Sequence, residues 1–182
     1  MKNTLAVVQG IANRSLSGER TLGEARDALA KRLRALANAH TLLTASEWRG
    51  ASLRALAAAE LDPYRGRVAM RGRDLALGPK AAQGLALILH ELATNAAKHG
   101  ALSMPEGWVE MAWDVGGLML RVRWREVGGP EVRPPARRGF GRLLIEEAAV
   151  HDLAGRARLD FRREGVTYEL EIPVGGPTAS TG

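Results

Sequence analysis

Apolar side chains recur every three or four residues at Leu5, Val8, Ile11, Ala12 and Leu16, the spacing of one face of an α-helix running from Met1 to about Ser17. Gly18 ends it. Thr21 followed three residues later by Glu24 is the pattern of a capping box, and it opens a second helix with a stripe through Ala25, Leu29, Leu33, Leu36, His40 and Leu43. Two such helices joined by a short turn predict an antiparallel hairpin. Neither stripe can be buried by the hairpin alone, so pairing with a second copy into a four-helix bundle, a homodimer, is the expectation. His40 lies on that stripe and is read as a packed histidine. Farther on, Ser52 can cap a short helix through Leu61 that Asp62 and Pro63 break. Arg67 to Arg71 reads as a strand. Gly78 and Pro79 announce a longer helix that ends at His99 and Gly100, with Leu85, Leu89, Leu92 and Ala96 as its apolar stripe.

After that helix the period changes from 3.6 to 2. Strands are predicted over Trp108–Val115 and Leu118–Glu126 around a Gly116–Gly117 turn. In the second, Leu118, Leu120, Val122 and Trp124 alternate with Met119, Arg121, Arg123 and Arg125, which predicts one buried face and one basic face. Residues 127–138 are rich in Gly, Pro and Arg and read as an irregular loop. A helix from about Gly141 to Leu153 and strands over Arg156–Arg162 and Val166–Ile172 complete the order. The expected fold is α+β: a helical hairpin over residues 1–48, then helices on one face of a mainly antiparallel sheet over 49–174, and a small polar tail over 175–182.

Composition narrows the classes. The chain has 182 residues, of which 46% are hydrophobic, with no cysteine, so disulfide frameworks and thiolate metal sites are excluded. No apolar run approaches the ~20 residues that span a bilayer. No membrane segment and no secretory leader are expected, and the expected location is the cytoplasm. The net charge of +6 favours anionic partners. The arginines are nevertheless scattered, without the alternation of basic and aromatic residues that tracks a single strand, so nucleic acid is not an expected partner.

The densest chemistry lies in residues 90–100, HELATNAAKHG. Positions four and seven apart share a helix face, so Glu91, Asn95 and Lys98 project together, with His90 and His99 beside them. The apolar stripe lies on another side of the same helix, which leaves the polar face free for chemistry. Two further features complete a pocket. Glu126 stands at a strand end before Gly128, Gly129 and Pro130, and its carboxylate can accept from an amino group such as that of adenine. Gly139, Phe140 and Gly141 directly precede a helix, where backbone can approach a phosphate closely. Together these describe a nucleotide site with a mobile loop.

The sequence resembles the HWE family of histidine kinases, whose nucleotide domain has the GHKL fold. The resemblance covers essentially residues 1–174 and rests on His90 in the N-box and on Trp124 and Glu126 as the family's Trp-x-Glu. It implies that Asn95 holds the Mg2+ that bridges the ATP phosphates and that Glu91 acts as base toward a water or an incoming imidazole. It places His90, Lys98 and His99 near the nucleotide, Glu126 on the adenine, and Gly128 and Gly129 where the base enters. Gly139, Phe140 and Gly141 match its second glycine box, and the Arg-rich loop before them matches the lid. Trp124 would pack beneath the adenine site. The implied partners are a response-regulator receiver domain, a second copy of the chain and an upstream sensor domain that this sequence does not contain.

The family's phosphoaccepting histidine belongs to a His-Arg-x-Lys-Asn segment. Lys2 and Asn3 match its end and Met1 its middle position, so the histidine would fall two residues ahead of Met1. The expectation is a sensor kinase core that binds Mg-ATP and, with an acceptor, passes the phosphoryl group from histidine to a regulator aspartate. The alternative is a degenerate kinase that serves as a docking or phosphotransfer module. A serine kinase of the anti-sigma type shares the ATP fold but lacks the leading helix hairpin.

Overall fold

The structure is a computed structural model that describes residues 8–10, 12–13, 21–132, 145–146 and 153–174. Residues 8–10 and 12–13 are helical, and Val8 packs against Ala35, Leu36 and Leu87. Helix α1 spans Leu22–Ala45. Its capping box is present in both directions: Glu24 N–H donates to Thr21 Oγ1 at 3.3 Å, and Thr21 N–H donates to the Glu24 carboxylate at 2.9 Å. Strand β1 (Ala51–Ser52) leads into α2 (Leu53–Leu61), whose first turn Ser52 caps by accepting from Ala55 N–H at 3.0 Å. A 3₁₀ turn over Asp62–Tyr64, with Pro63 inside it, stops that helix. Strands β2 (Val68–Arg71) and β3 (Ala76–Leu77) precede α3 (Pro79–His99), which has Gly78 and Gly100 as its caps. Strands β4 (Trp108–Gly116), β5 (Met119–Val127), β6 (Arg156–Arg162) and β7 (Gly165–Pro173) follow.

Five strands form one sheet in the order β2-β4-β5-β7-β6, with β2 parallel to β4 and every other pair antiparallel. The alternation read from β5 is realised: Leu120, Val122 and Trp124 face inward and the arginines between them face out. The inner face packs on α3, so that Val109, Met111, Trp124, Tyr168 and Leu170 join Leu85, Ile88, Leu89, Leu92 and Ala96 in one core. The helices-then-sheet α+β architecture matches the expectation.

Three local readings are corrected. The β4–β5 turn is Gly117–Leu118, with Gly117 at φ +61°, while Gly116 stays in the ladder opposite Met119 and Leu118 is exposed. Only the residue that takes the left-handed conformation needs to be glycine, and that residue is the second of the pair. The outer face is not simply basic. Register brings carboxylates beside the arginines, with Arg121 and Arg156 both on Glu171, Arg123 on Asp114 and Arg125 on Glu110, at 3.0 to 3.4 Å. The buried side of α1 runs through Ala25, Arg32, Leu36, Ala39 and Leu43, whereas His40 is exposed and meets Trp48 edge to face at 5.2 Å. The stripe slipped by one residue at 33 and 40 because a buried arginine and a small alanine carry no hydrophobic signal.

Candidate functional site

From Gly84 to Leu89 every residue of α3 is buried, since the sheet takes one side and α1 the other. Beyond Leu89 the helix becomes polar on one side, which escapes the core. There His90, Glu91, Thr94, Asn95 and Lys98 line a cavity of about 280 Å3, and Glu24, Asp27, Lys31 and Arg32 of α1 form its opposite wall. The expected cluster is therefore brought together in part: His90, Glu91, Asn95 and Lys98 share this cavity, whereas His99 is exposed and outside its lining.

The polar face is not free, as its spacing had suggested. Arg32 reaches across from α1 and grips Glu91 with two bonds, Nε to Oε1 at 2.7 Å and Nη2 to Oε2 at 3.1 Å. Both residues are buried, at 3% and 5% exposure, so the pair is shielded from solvent. A second junction lies one helical step away. Asn38 of α1 donates from Nδ2 to Glu60 Oε1 at 3.1 Å, and His90 Nδ1 stands 3.4 Å from Glu60 Oε2. Glu60 is itself only 7% exposed. The sequence patterns do not single out Arg32, Asn38 or Glu60. For Arg32 a signal existed, because Ala25, Arg32 and Ala39 are spaced by seven and a charge in a heptad seam asks for a partner.

Glu126 lies elsewhere. Its two-residue spacing from Trp124 puts both side chains on the inner face of β5, and the Trp124 indole N–H lies 3.4 Å from Glu126 Oε1. Its Oε2 accepts from the backbone N–H of Ala101 at 2.8 Å, just past the end of α3. With 4% exposure, this carboxylate ties the strand end to the helix end instead of standing at an open lip. Burial raises its pKa above the ordinary carboxylate range, opposed by the bonds from Ala101 and Trp124. The neighbouring glycines serve the same junction. A Cβ on Gly100 would collide with Glu126 Oε2, and one on Gly129 would come within 2.9 Å of the Ala101 backbone. Gly128 has φ +72°. Gly139, Phe140 and Gly141 lie outside the described residues.

Residues 1–74 match the model of the HWE histidine kinases. A blue-light-activated histidine kinase of Rhizobium johnstonii is 38% identical over 182 residues, covering 98% of this chain. The chain is a homologue of these histidine kinases, and its first 74 residues carry the HWE match. It spans 37% and 52% of the lengths of two curated relatives that it matches, in Brucella ovis and Rhizobium johnstonii. Among solved structures, the blue-light-activated histidine kinase EL346 of Erythrobacter litoralis superposes with a TM-score of 0.72 at 20% identity, covering 94% of this chain and 59% of that one. The histidine kinase ThkA, solved in complex with the response regulator protein TrrA, gives 0.53 at 15% identity, covering 96% and 58%. Both likenesses concern the fold, that of histidine kinase catalytic domains. Among the described residues no helix of this chain is long and apolar enough to cross a membrane.

Proposed function

We propose that this chain is the kinase core of a cytoplasmic two-component sensor, with a helical segment over residues 1–48 and a Mg-ATP domain over 49–174. The observation that carries the reading is the convergence of Glu91, Asn95, Lys98 and His90 on one cavity of α3 in a chain of this family. A carboxylate, an amide and an ammonium are the groups that phosphoryl transfer asks for, since the protein's task there is positioning and charge compensation.

The donor set fits a magnesium ion held jointly with phosphates. Mg2+ takes few protein ligands in nucleotide sites, and the Asn95 carbonyl oxygen is a hard neutral donor beside the cavity. The ion, when bound, would neutralise charge on the phosphate oxygens. Lys98 would face the same phosphates as a mobile cation. His90 and His99 would lie near the phosphates, and Glu126, with Gly128 and Gly129, would serve the adenine end, with Gly139, Phe140 and Gly141 as the second glycine box of the same nucleotide site. In the transfer an imidazole nitrogen of an acceptor histidine bonds to the γ-phosphorus as the bond from that phosphorus to the bridging oxygen of ADP breaks. The imidazole proton passes to Glu91. The phosphoryl group then moves to a receiver-domain aspartate, with the N–P bond breaking as the O–P bond forms. Dimerisation through the N-terminal helices and an upstream sensor domain belong to this reading.

One observation favours a second reading. Glu91, the proposed base, is held by Arg32, as expected of a degenerate chain that binds nucleotide or a regulator without transfer. Calorimetry of ATP with and without Mg2+ tests the pocket itself. Asn95→Ala should remove the magnesium dependence of ATP binding and leave the thermal transition in place, because Asn95 is only half-buried. Unchanged affinity and unchanged magnesium dependence would refute the assignment.

A further inference from the structure

Glu60 is a third buried carboxylate among the described residues, and the kinase reading above gives it no task. It stands in the last turn of α2, whose only other charged residue is Arg54, where that helix meets α1 and α3. Its side chain is 3% exposed. A carboxylate this deep is costly unless polar groups hold it. Each of its oxygens has one: Asn38 Nδ2 of α1 donates to Oε1 at 3.1 Å, and His90 Nδ1 of α3 stands 3.4 Å from Oε2. We propose that Glu60 is a positioning residue for the nucleotide site: it holds the His90 ring with its proton on Nδ1 and so leaves Nε2 to the cavity as a hydrogen-bond acceptor. This deepens the kinase reading above and rests on it.

The tautomer follows from what a carboxylate can do. An ionised carboxylate only accepts, so a lone pair on Nδ1 would face a lone pair on Oε2, whereas an N–H there meets its acceptor. In a neutral imidazole the other nitrogen is then the acceptor. Its direction follows from the two cavities that border the ring. Glu60 lines the one of about 360 Å3 between α1, α2 and α3, together with Asn38, Tyr64 and Ala93, and does not line the proposed nucleotide cavity of about 280 Å3. His90 lines both. With the Nδ1 edge turned to Glu60, the opposite edge, which carries Nε2, borders the nucleotide side. The His90 side chain keeps 19% exposure beside the nearly closed carboxylate, so its open part lies away from Glu60. Ionised phosphate oxygens have no proton to offer Nε2, but Mg2+ in nucleotide sites keeps several waters, which do. A neutral Nε2 therefore favours the magnesium-bound nucleotide over the free one. The 3.4 Å contact is longer than a formed N–H···O bond and leaves room to shorten when the ligand binds.

Long-range nitrogen–proton NMR of the nucleotide-free full chain reads the tautomer directly, at a pH high enough for the His90 ring to be neutral and with its signals identified by their loss in His90→Ala. A proton on Nδ1 is expected, and a proton on Nε2 overturns the proposal without any variant at Glu60. Calorimetry reads the consequence. Glu60→Ala should weaken Mg-ATP binding about fivefold, the size of one hydrogen bond, and leave binding of ATP without magnesium nearly unchanged. His90→Ala should cost as much, and adding Glu60→Ala to it should cost nothing further, because Glu60 acts through the ring. Costs that simply add, equal weakening with and without magnesium, or unchanged Mg-ATP affinity in folded Glu60→Ala would each overturn the proposal. Should Glu60→Ala fail to fold, the wild-type tautomer and a magnesium-specific loss in His90→Ala decide, and the absence of either overturns it. A wild-type chain that binds no Mg-ATP discards the kinase reading itself, and the tautomer, read without nucleotide, tells the two failures apart.

Discussion

Glu91 and Glu126, two of the three buried carboxylates among the described residues, are held in opposite ways. Glu91 meets a permanent cation, so its charge is compensated within the core. Among the described residues Glu126 meets a backbone N–H and an indole N–H, and burial raises its pKa. The folded chain therefore binds the Glu126 proton more tightly than the unfolded chain does. Its contribution to stability is fully present below the ordinary carboxylate value of 4.5 and is lost as pH rises through the raised value. Unfolding by denaturant should show the stability of the wild type relative to Glu126→Gln increasing as pH falls from above the raised value toward 4.5. A difference that does not change with pH would contradict the buried, raised state. At this scale the residue types were legible, because the Trp-x-Glu and HELATNAAKHG runs stand out in one sequence. Their partners were not. Arg32 is 59 positions from Glu91 and Ala101 is 25 from Glu126, separations that no local period reports.

Elements were readable where a side chain terminates them locally. Thr21 and Glu24, Ser52, and Gly78 with Pro79 mark the three helix starts, and the structure has caps at each. The two-residue ladder of β1 with β3 was missed, because a pair that short has no periodicity. Asp74 holds it. Its Oδ1 accepts from Arg54 N–H and Leu75 N–H, each at 3.0 Å, and its Oδ2 from Ser52 Oγ at 2.7 Å. The Ser52 bond, with the two backbone bonds, keeps the Asp74 carboxyl below its ordinary range despite opposing desolvation. Asp74→Ala should cost about 1–2 kcal/mol in thermal or denaturant unfolding, the usual size of a lost helix cap, without altering Mg-ATP affinity. A loss of nucleotide affinity on that change would connect the ladder to the site.

For the whole molecule, the helical segment and the sheet domain are less independent than the stripes implied. Ala39 and Leu43 of α1 belong to the same core as α3 and the sheet, so part of the surface expected to serve self-association is used within the chain. The fold class and the order of elements followed from periodicity, since each period reports its own element. The docking of α1 did not follow, because it depends on an ion pair between segments whose separate patterns are complete without it.

The central claim is that the nucleotide occupies the polar end of α3. Hydrogen exchange of the full chain with and without Mg-ATP maps the occupied region directly. Protection should appear across residues 90–107 and 124–130 and be lost in Asn95→Ala. Protection confined to the outer sheet face, where Arg121, Arg123, Arg156 and Arg158 line a cavity of about 400 Å3, with α3 unaffected, would contradict the account.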